Sequence, residues 1–203
     1  TLLSLCVAAF AQAKVTLPSF FTDNMVIQQN SQLTLPGKAK AGKQVTVKVS
    51  WNHEKYTAKA SADGHFSIEV PTPPAGGPYQ IAVSDGEKLV LNNVLSGEVW
   101  ICSGQSNMQM PVEGWGKVKN YQQEVAQANY PNIRLMTVSN TISLSPSQEF
   151  TAVGGGWQVC SSGTIREFSA AAYFFGREIA RTQQVPVGLI CAHWGGTNIE
   201  SWI

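Results

Sequence analysis

A serine in a glycine-containing turn is the residue of this sequence with the clearest capacity for chemistry. Ser106 follows an apolar run that ends at Cys102, and Gly104 stands two positions before it. In an open α/β sheet, ligands bind beyond the carboxyl ends of the strands, and N–H groups at the start of the next helix stabilise a developing oxyanion. The pattern fits a nucleophile, and it also fits a serine that only shapes a turn.

A glycine pair follows a second apolar run in the same way. Val187–Ala192 has the continuous apolar character of a strand that is buried on both faces, and Gly195 and Gly196 come shortly after it. A glycine-rich turn at this position presents a backbone N–H near the first strand end. We therefore expect the Ser106 hydroxyl to lie within several ångströms of the glycine pair.

A helix is predicted between the two runs. Residues 169–182 have helical periodicity, and Ser169 is positioned as the N-cap. The apolar face of this helix is predicted to contain Ala172, Phe175 and Ile179. A strand, a helix and a second continuous strand are typical of a parallel sheet. We therefore expect Glu98–Cys102 and Val187–Ala192 to be parallel strands of one sheet.

The chain before Leu95 has the pattern of an all-β domain. Val45–Trp51 alternates apolar and other residues at period two, as does the run that contains Phe66, Ile68 and Val70. Turn signals recur about every 8 to 12 residues. They are Pro36-Gly37, Ala41-Gly42, Asp63-Gly64, Pro73 to Pro78 and Asp85-Gly86. These features predict a β-sandwich over residues 14–95, followed by the first part of an α/β parallel-sheet domain over residues 96–203.

Residues 1–13 have the features of a secretory signal peptide that lacks its front end. An apolar stretch closes on Ala11-Gln12-Ala13, which is a small-x-small pattern, and Lys14 follows. A buried N-terminal strand or helix is the alternative. The stretch is too short to span a bilayer, and no other segment approaches about 18 unbroken apolar residues. The sequence predicts a secreted or periplasmic protein without a membrane span.

The charge balance gives no sign of a polyanionic partner. The 203 residues include 14 Lys and Arg against 13 Asp and Glu, for a formal net charge of +1. This balance offers no electrostatic basis for binding nucleic acid or an anionic membrane.

The cysteines predict neither a metal site nor a disulfide framework. No two of them stand in a C-x-x-C pattern. Cys102 and Cys191 lie in apolar runs and are predicted to be buried free thiols. An oxidised pair that involves Cys160 remains open.

The block GEVWICSGQSNMQMPV (Gly97–Val112) resembles the nucleophile block of the sialate O-acetylesterase family, within the GDSL/SGNH hydrolase superfamily. Further segments resemble that family in order and spacing: FTDNMVIQ (21–28), the turn at 76–79, WQVCSSGTIREFSAAAYFFGREI (157–179) and VPVGLICAHWGGTNIESW (185–202). The resemblance implies an SGNH-hydrolase-like α/β domain. It also implies a serine esterase that removes O-acetyl groups from sialic acids or from acetylated plant polysaccharides, with no metal or cofactor.

The same resemblance implies roles for the residues of the two turns. Ser106 corresponds to the nucleophile, and its own N–H and one from Gly195 or Gly196 correspond to the first two oxyanion donors. The family's third donor lies in a Gln-Gly-Glu block, and its base and orienting acid lie in an Asp-x-x-His block. Neither block has a counterpart up to Ile203. We therefore expect little activity from these 203 residues alone.

Five polar residues are candidates for substrate binding: Gln105, Asn107, Gln109, Arg166 and Glu200. Turn hydrogen bonds and helix capping are the alternative roles for the residues near the turns. Arg166 suits the carboxylate of a sialic acid as a bidentate partner, and an ordinary surface salt bridge is its alternative.

None of the three histidines is expected to be the catalytic base. His53 and His65 are predicted on the solvated faces of strands, and His193 is interpreted as a residue without a catalytic role. Two further functions stay open for the whole chain. One is a non-catalytic secreted glycan-binding protein that keeps the site as a pocket, and the other is a structural β-module with an incidental α/β remnant.

Overall fold

A computed structural model describes residues 14–116, 118–145, 147 and 149–202. The predicted signal peptide, residues 1–13, lies outside the described residues. No helix in the described part of the chain is long and apolar enough to cross a membrane.

The first half of the chain forms short strands with one buried face. These strands are β1 Val26–Gln28, β2 Gln32–Lys38, β3 Gln44–Val49, β4 Lys55–Lys59, β5 His65–Pro71 and β6 Gly76–Ser84. The predicted period-two alternation is confirmed in β3 and β5, where every second side chain is buried. The turn predicted at Pro36-Gly37 is wrong, because both residues lie inside β2 and pair with β5. Gly37 is needed there because a Cβ would meet the Phe66 ring at 2.5 Å.

Two sheets contribute to the core of this half. Strands β2 and β5 form a separate antiparallel pair, while β4, β3 and β6 are consecutive neighbours in a larger sheet. Side chains from both sheets share one hydrophobic cluster, which includes Leu35, Val47, Ile68 and Val83. The separate β-sandwich predicted for residues 14–95 is not confirmed, because the larger sheet continues into the second half of the chain.

One long strand, β7 (Lys88–Gly104), connects the two halves. Its first part pairs antiparallel with β6, and β1 pairs parallel with its middle. Its last part pairs in parallel with β10 (Val187–His193), with Glu98 opposite Val187. The prediction that these two strands are parallel neighbours is therefore confirmed. The predicted domain boundary at 95/96 falls inside β7.

A further parallel strand lies between the nucleophile block and the helix predicted over residues 169–182, where the sequence predicts no element. This strand, β8 (Asn129–Thr137), pairs parallel with the other side of β10, and β9 (Gln158–Ser161) pairs antiparallel with β8. Beyond Gly97 the parallel part of the sheet therefore consists of β7, β10 and β8, and β8 is the strand that the sequence did not indicate. The whole sheet is mixed, with antiparallel pairs at both ends.

The described residues form three α-helices beside this sheet: α1 Ser106–Gln109, α2 Tyr121–Gln127 and α3 Ala170–Gln183. The predicted N-cap of α3 is confirmed, since Ser169 Oγ accepts a hydrogen bond of 3.1 Å from the Ala172 N–H. The predicted apolar face is partly wrong. Tyr173 and Gly176 are buried with Ala172, whereas Phe175 is 40% exposed and meets Trp100 edge to face at 5.0 Å.

Cys102, Cys160 and Cys191 are buried free thiols. Cys102 lies opposite Cys191 on β7 and β10, so both sulfurs pack under the strand ends as small apolar groups. Burial raises the pKa of Cys160 to about 12, which makes a reactive thiolate unfavourable at neutral pH.

Candidate active site

Ser106 is the first residue of α1 and comes directly after the carboxyl end of β7. The chain turns from strand to helix within two residues because Gly104 adopts a φ of +148°. Residues that carry a side chain rarely adopt this conformation. The Ser106 side chain is exposed. A hydroxyl at the start of a helix, beside unpaired N–H groups and open to solvent, is accessible to a substrate.

The end of β10 lies against this turn. His193, the last residue of β10, is opposite Gly104, and the Trp194 N–H donates a hydrogen bond of 3.0 Å to the Gly104 carbonyl. The next residue, Gly195, is in contact with the nucleophile turn. A Cβ placed on Gly195 would lie 3.2 Å from Ser106 Oγ and 3.6 Å from Ser106 Cα. The structure thus brings Ser106 and Gly195 together as predicted.

Gly195 and Gly196 differ in the hydrogen bonding of their N–H groups. Gly195 has its N–H hydrogen-bonded to Gln109 Oε1 at 2.7 Å. Gly196 is exposed, has a φ of +80°, and would have nothing within 4 Å of an added Cβ. Its N–H forms no hydrogen bond with the residues that the structure describes. Gly196 therefore has the donor that is still available.

The side chains of Gln105 and Gln109 each form a hydrogen bond with the protein backbone. The Gln105 Nε2 group donates a hydrogen bond to the Thr197 carbonyl, and Gln109 accepts the bond from Gly195. Both residues were predicted as substrate-binding groups with turn hydrogen bonding as the alternative. The sequence reasoning missed their common partner, the loop 194–197. The signal that could have shown it is their spacing of four residues, which lets the Gln109 N–H bond the Gln105 carbonyl and places the two residues one helical turn apart.

The beginning of α3 supports α1 from the other side. Ser169 Oγ lies 3.5 Å from Met108 Sδ, and the Ala170 N–H donates to the Met110 carbonyl at 2.8 Å. A four-residue helix is marginal without such contacts, because helix nucleation is costly. The helix α1, which begins with Ser106, thus contacts both the start of α3 and the loop 194–197.

The other predicted binding residues are exposed or paired elsewhere. Asn107 is exposed and forms no side-chain hydrogen bond with the described residues. Glu200 is exposed in the 3-10 helix Ile199–Trp202. Arg166 forms an ion pair with Glu113, which is the alternative that the sequence left open. Among the described residues, none of these three side chains forms a hydrogen bond with Ser106.

The histidines do not form a base for Ser106. His65 is exposed on β5, and its Nε2 lies 3.9 Å from Asp63 Oδ2. His53 was expected on a strand, but it lies exposed between β3 and β4. His193 Nδ1 is buried without a hydrogen-bond partner among the described residues, and burial lowers the pKa of this imidazole. No histidine of the described residues is hydrogen-bonded to Ser106 Oγ. In the same part of the chain, no three His, Cys, Asp or Glu side chains are grouped to hold a metal ion.

Comparison with known proteins gives consistent matches. The chain is 34% identical over 201 residues to sialate O-acetylesterase from Pongo abelii and to that from Homo sapiens, and 30% identical over 200 residues to that from Mus musculus. These alignments cover 91% of this chain but 36–38% of each relative. The chain thus spans little more than a third of the length of these relatives.

A solved structure has a similar fold. The crystal structure of a carbohydrate acetylesterase from Xanthomonas citri matches 93% of this chain and 42% of its own chain, with a TM-score of 0.86 and 33% identity. A family model described as carbohydrate esterase, sialic acid-specific acetylesterase matches residues 96–203, which include Ser106 and both glycines of the second turn. Because that match covers more than half of the sequence, the chain belongs to the family of carbohydrate esterases described as sialic acid-specific acetylesterases.

Proposed function

We propose that this chain carries the nucleophile half of a serine esterase that removes O-acetyl groups from sugars. The observation that carries the proposal is the contact between Ser106 and Gly195. Two parallel strands end side by side, and an exposed hydroxyl from one lies against a glycine turn from the other. Family membership adds the substrate class, because the relatives are named for sialate or carbohydrate deacetylation.

The reaction is an acyl transfer in two steps. Ser106 Oγ attacks the acetyl carbonyl carbon while a histidine takes the hydroxyl proton, and the sugar oxygen leaves with that proton. Water then attacks the acetyl-enzyme, which releases acetate and restores the Ser106 hydroxyl. The negative charge that develops on the carbonyl oxygen is stabilised by the N–H groups of Ser106 and of the Gly195-Gly196 turn. The mechanism requires no metal or cofactor.

The histidine and its orienting carboxylate are assigned to the part of the relatives that this chain does not span. His193 is a poor candidate because its Nδ1 is buried and its pKa is lowered, and His53 and His65 belong to the first half of the chain. The division of roles follows the predicted domains. Residues 14–95 serve as a β-rich support of sandwich type, and residues 96–203 contribute the first part of an SGNH-hydrolase domain.

The substrate and compartment follow from the same reasoning. An O-acetylated sugar, either a sialic acid or a fragment of a plant polysaccharide, is the proposed substrate. Residues 1–13 support export, so the proposed location is outside the cell or in the periplasm.

The test is hydrolysis of p-nitrophenyl acetate and of an O-acetylated sialic acid. It compares the 203-residue chain, the protein extended by the codons that follow in its gene, and the Ser106→Ala variant of each. We expect turnover by the extended protein, little by the 203 residues, and loss to background in Ser106→Ala without a change in the circular dichroism spectrum. Equal turnover by the extended protein and its Ser106→Ala variant would disprove the assignment of the nucleophile.

A further inference from the structure

Two glutamines on either side of the nucleophile bind the same loop with opposite hydrogen-bonding groups. Gln105 donates through Nε2 to a carbonyl at Thr197, and Gln109 accepts through Oε1 from an N–H at Gly195. A backbone N–H requires an acceptor and a carbonyl requires a donor, so these partners fix the orientation of each amide.

The two contacts lie on either side of the nucleophile in sequence. Gln105 precedes Ser106 by one residue, and Gln109 follows it by three, with the Gln109 N–H bonded to the Gln105 carbonyl at 2.9 Å. The Gln105 side chain, from the residue that precedes α1, and the Gln109 side chain, from the last residue of α1, therefore both reach the loop 194–197. A third bond, from the Trp194 N–H to the Gly104 carbonyl, joins the two segments at the strand ends.

We propose that Gln105 and Gln109 are positioning residues that clamp α1 to the loop 194–197 and so set the distance between the Ser106 hydroxyl and its oxyanion donor. This inference deepens the proposed function and rests on it for its catalytic consequence. A short helix and a glycine turn are both adaptable, and two side-chain bonds in addition to the backbone bond hold them in one arrangement.

The clamp also determines which glycine is the donor. The Gly195 N–H is occupied by Gln109 Oε1, and Gln109 is only half-exposed. The Gly196 N–H is unbonded among the described residues and is the next donor along the turn. The second oxyanion donor is therefore assigned to Gly196, and Gly195 serves as the attachment point of the clamp.

Glutamate substitutions separate the two contacts, because glutamate has the shape of glutamine but only accepts hydrogen bonds when ionised. In Gln105→Glu a carboxylate oxygen faces the Thr197 carbonyl oxygen. Because both oxygens accept hydrogen bonds, the contact with Thr197 is lost. Gln109→Glu keeps the acceptor for the Gly195 N–H and places a negative charge next to the site where the oxyanion develops. Gln109→Met removes the acceptor at similar length. Gln123→Glu, at an exposed position of α2, is the matched control.

The first measurement is amide hydrogen exchange of Gly195 and Gly196 by NMR on the 203-residue chain. This readout is independent of activity, so it decides the clamp even if the esterase proposal fails. We expect Gly195 to exchange more slowly than Gly196 in the wild type. Gln109→Met should accelerate exchange at Gly195 by about tenfold, the effect of one hydrogen bond. Gln109→Glu and Gln123→Glu should leave Gly195 protected. Unchanged protection in Gln109→Met would overturn the clamp.

The second measurement is the steady-state kinetics of the extended protein with p-nitrophenyl acetate. A misplaced catalytic group costs up to about 100-fold in rate, so we expect Gln105→Glu and Gln109→Met to lower kcat by about 10- to 100-fold with little change in KM. Gln109→Glu should lower kcat although Gly195 stays protected, which a purely structural role would not produce. A higher kcat/KM in Gln109→Met would mean that Gln109 blocks the oxyanion site, and the assignment would be wrong.

Discussion

Gly195 lies so close to Ser106 that a single methyl group on its Cα would come within 3.2 Å of the Ser106 hydroxyl oxygen. The same methyl group would stand 2.6 Å from Gln109 Oε1. Ser106 and Gly195 are 89 positions apart in the chain (195 − 106), and each lies two residues beyond the end of a strand. The parallel pairing of β7 and β10 is what creates the contact between them.

Gly195→Ala should therefore reduce activity more than it reduces stability. The added methyl group displaces Gln109 or Ser106, so we expect kcat for p-nitrophenyl acetate to fall by about 100-fold in the extended protein. Gly196→Ala is the comparison. It has open space, and its φ of +80° costs the folded state about 1–2 kcal/mol as backbone strain. Urea unfolding of both variants measures this difference. An unchanged kcat in Gly195→Ala would contradict the steric argument.

Arg134 offers a test of the contact between the two halves of the chain. This arginine on β8 is 3% exposed and donates hydrogen bonds to Asn24, Asn93 and Pro131. Arg134→Met removes the hydrogen bonds that this buried guanidinium donates to both halves of the chain, so we expect the free energy of unfolding to fall by about 1–3 kcal/mol. Arg181→Met is the control, because Arg181 pairs with Glu178 on the surface of α3 and should change stability by less than about 1 kcal/mol. Similar losses in both variants would refute this role for Arg134.

His193 should make stability depend on pH. Burial lowers the pKa of His193 below its ordinary value of 6.5, so the unfolded chain binds more protons than the folded one as pH falls through that value. Stability therefore decreases toward acid pH. We expect His193→Asn to gain stability relative to the wild type between pH 7.5 and pH 5.5 in urea unfolding experiments. Parallel pH profiles for the two proteins would show that the imidazole does not titrate as proposed.

Much of the site could be predicted from local patterns. The capping hydroxyl of Ser169, the continuous apolar strand before Gly195 and the glycine turn before Ser106 each have a short-range signature. Together they predicted the parallel pair and the contact at its end. The family resemblance added the expectation that Ser106 is the nucleophile, which the turn alone left open.

Other features depend on tertiary contacts and were missed or misplaced. Strand β8 escaped notice because a charged residue, Arg134, occupies a fully buried position in it and interrupts the apolar pattern. Pro36-Gly37 resembles a turn, although Gly37 is needed for close packing against Phe66. Phe175 fits the apolar stripe of α3 by spacing, but its ring contacts the partly exposed Trp100 ring rather than the buried core. The partners of Gln105 and Gln109 belong to a loop far away in sequence.

The continuity of β7 has a consequence for folding and for the exchange of parts between proteins. Residues 88–96 of this strand complete the antiparallel region, and residues 98–104 belong to the parallel region that ends next to Ser106. Loss of order in the first region removes the support at the origin of the second, so the two regions are expected to unfold together rather than as independent units. Recombination at the boundary between the two halves would cut a hydrogen-bonded strand. A functional chimera therefore needs a junction before Lys88 or after Gly104, with β7 inherited as one piece.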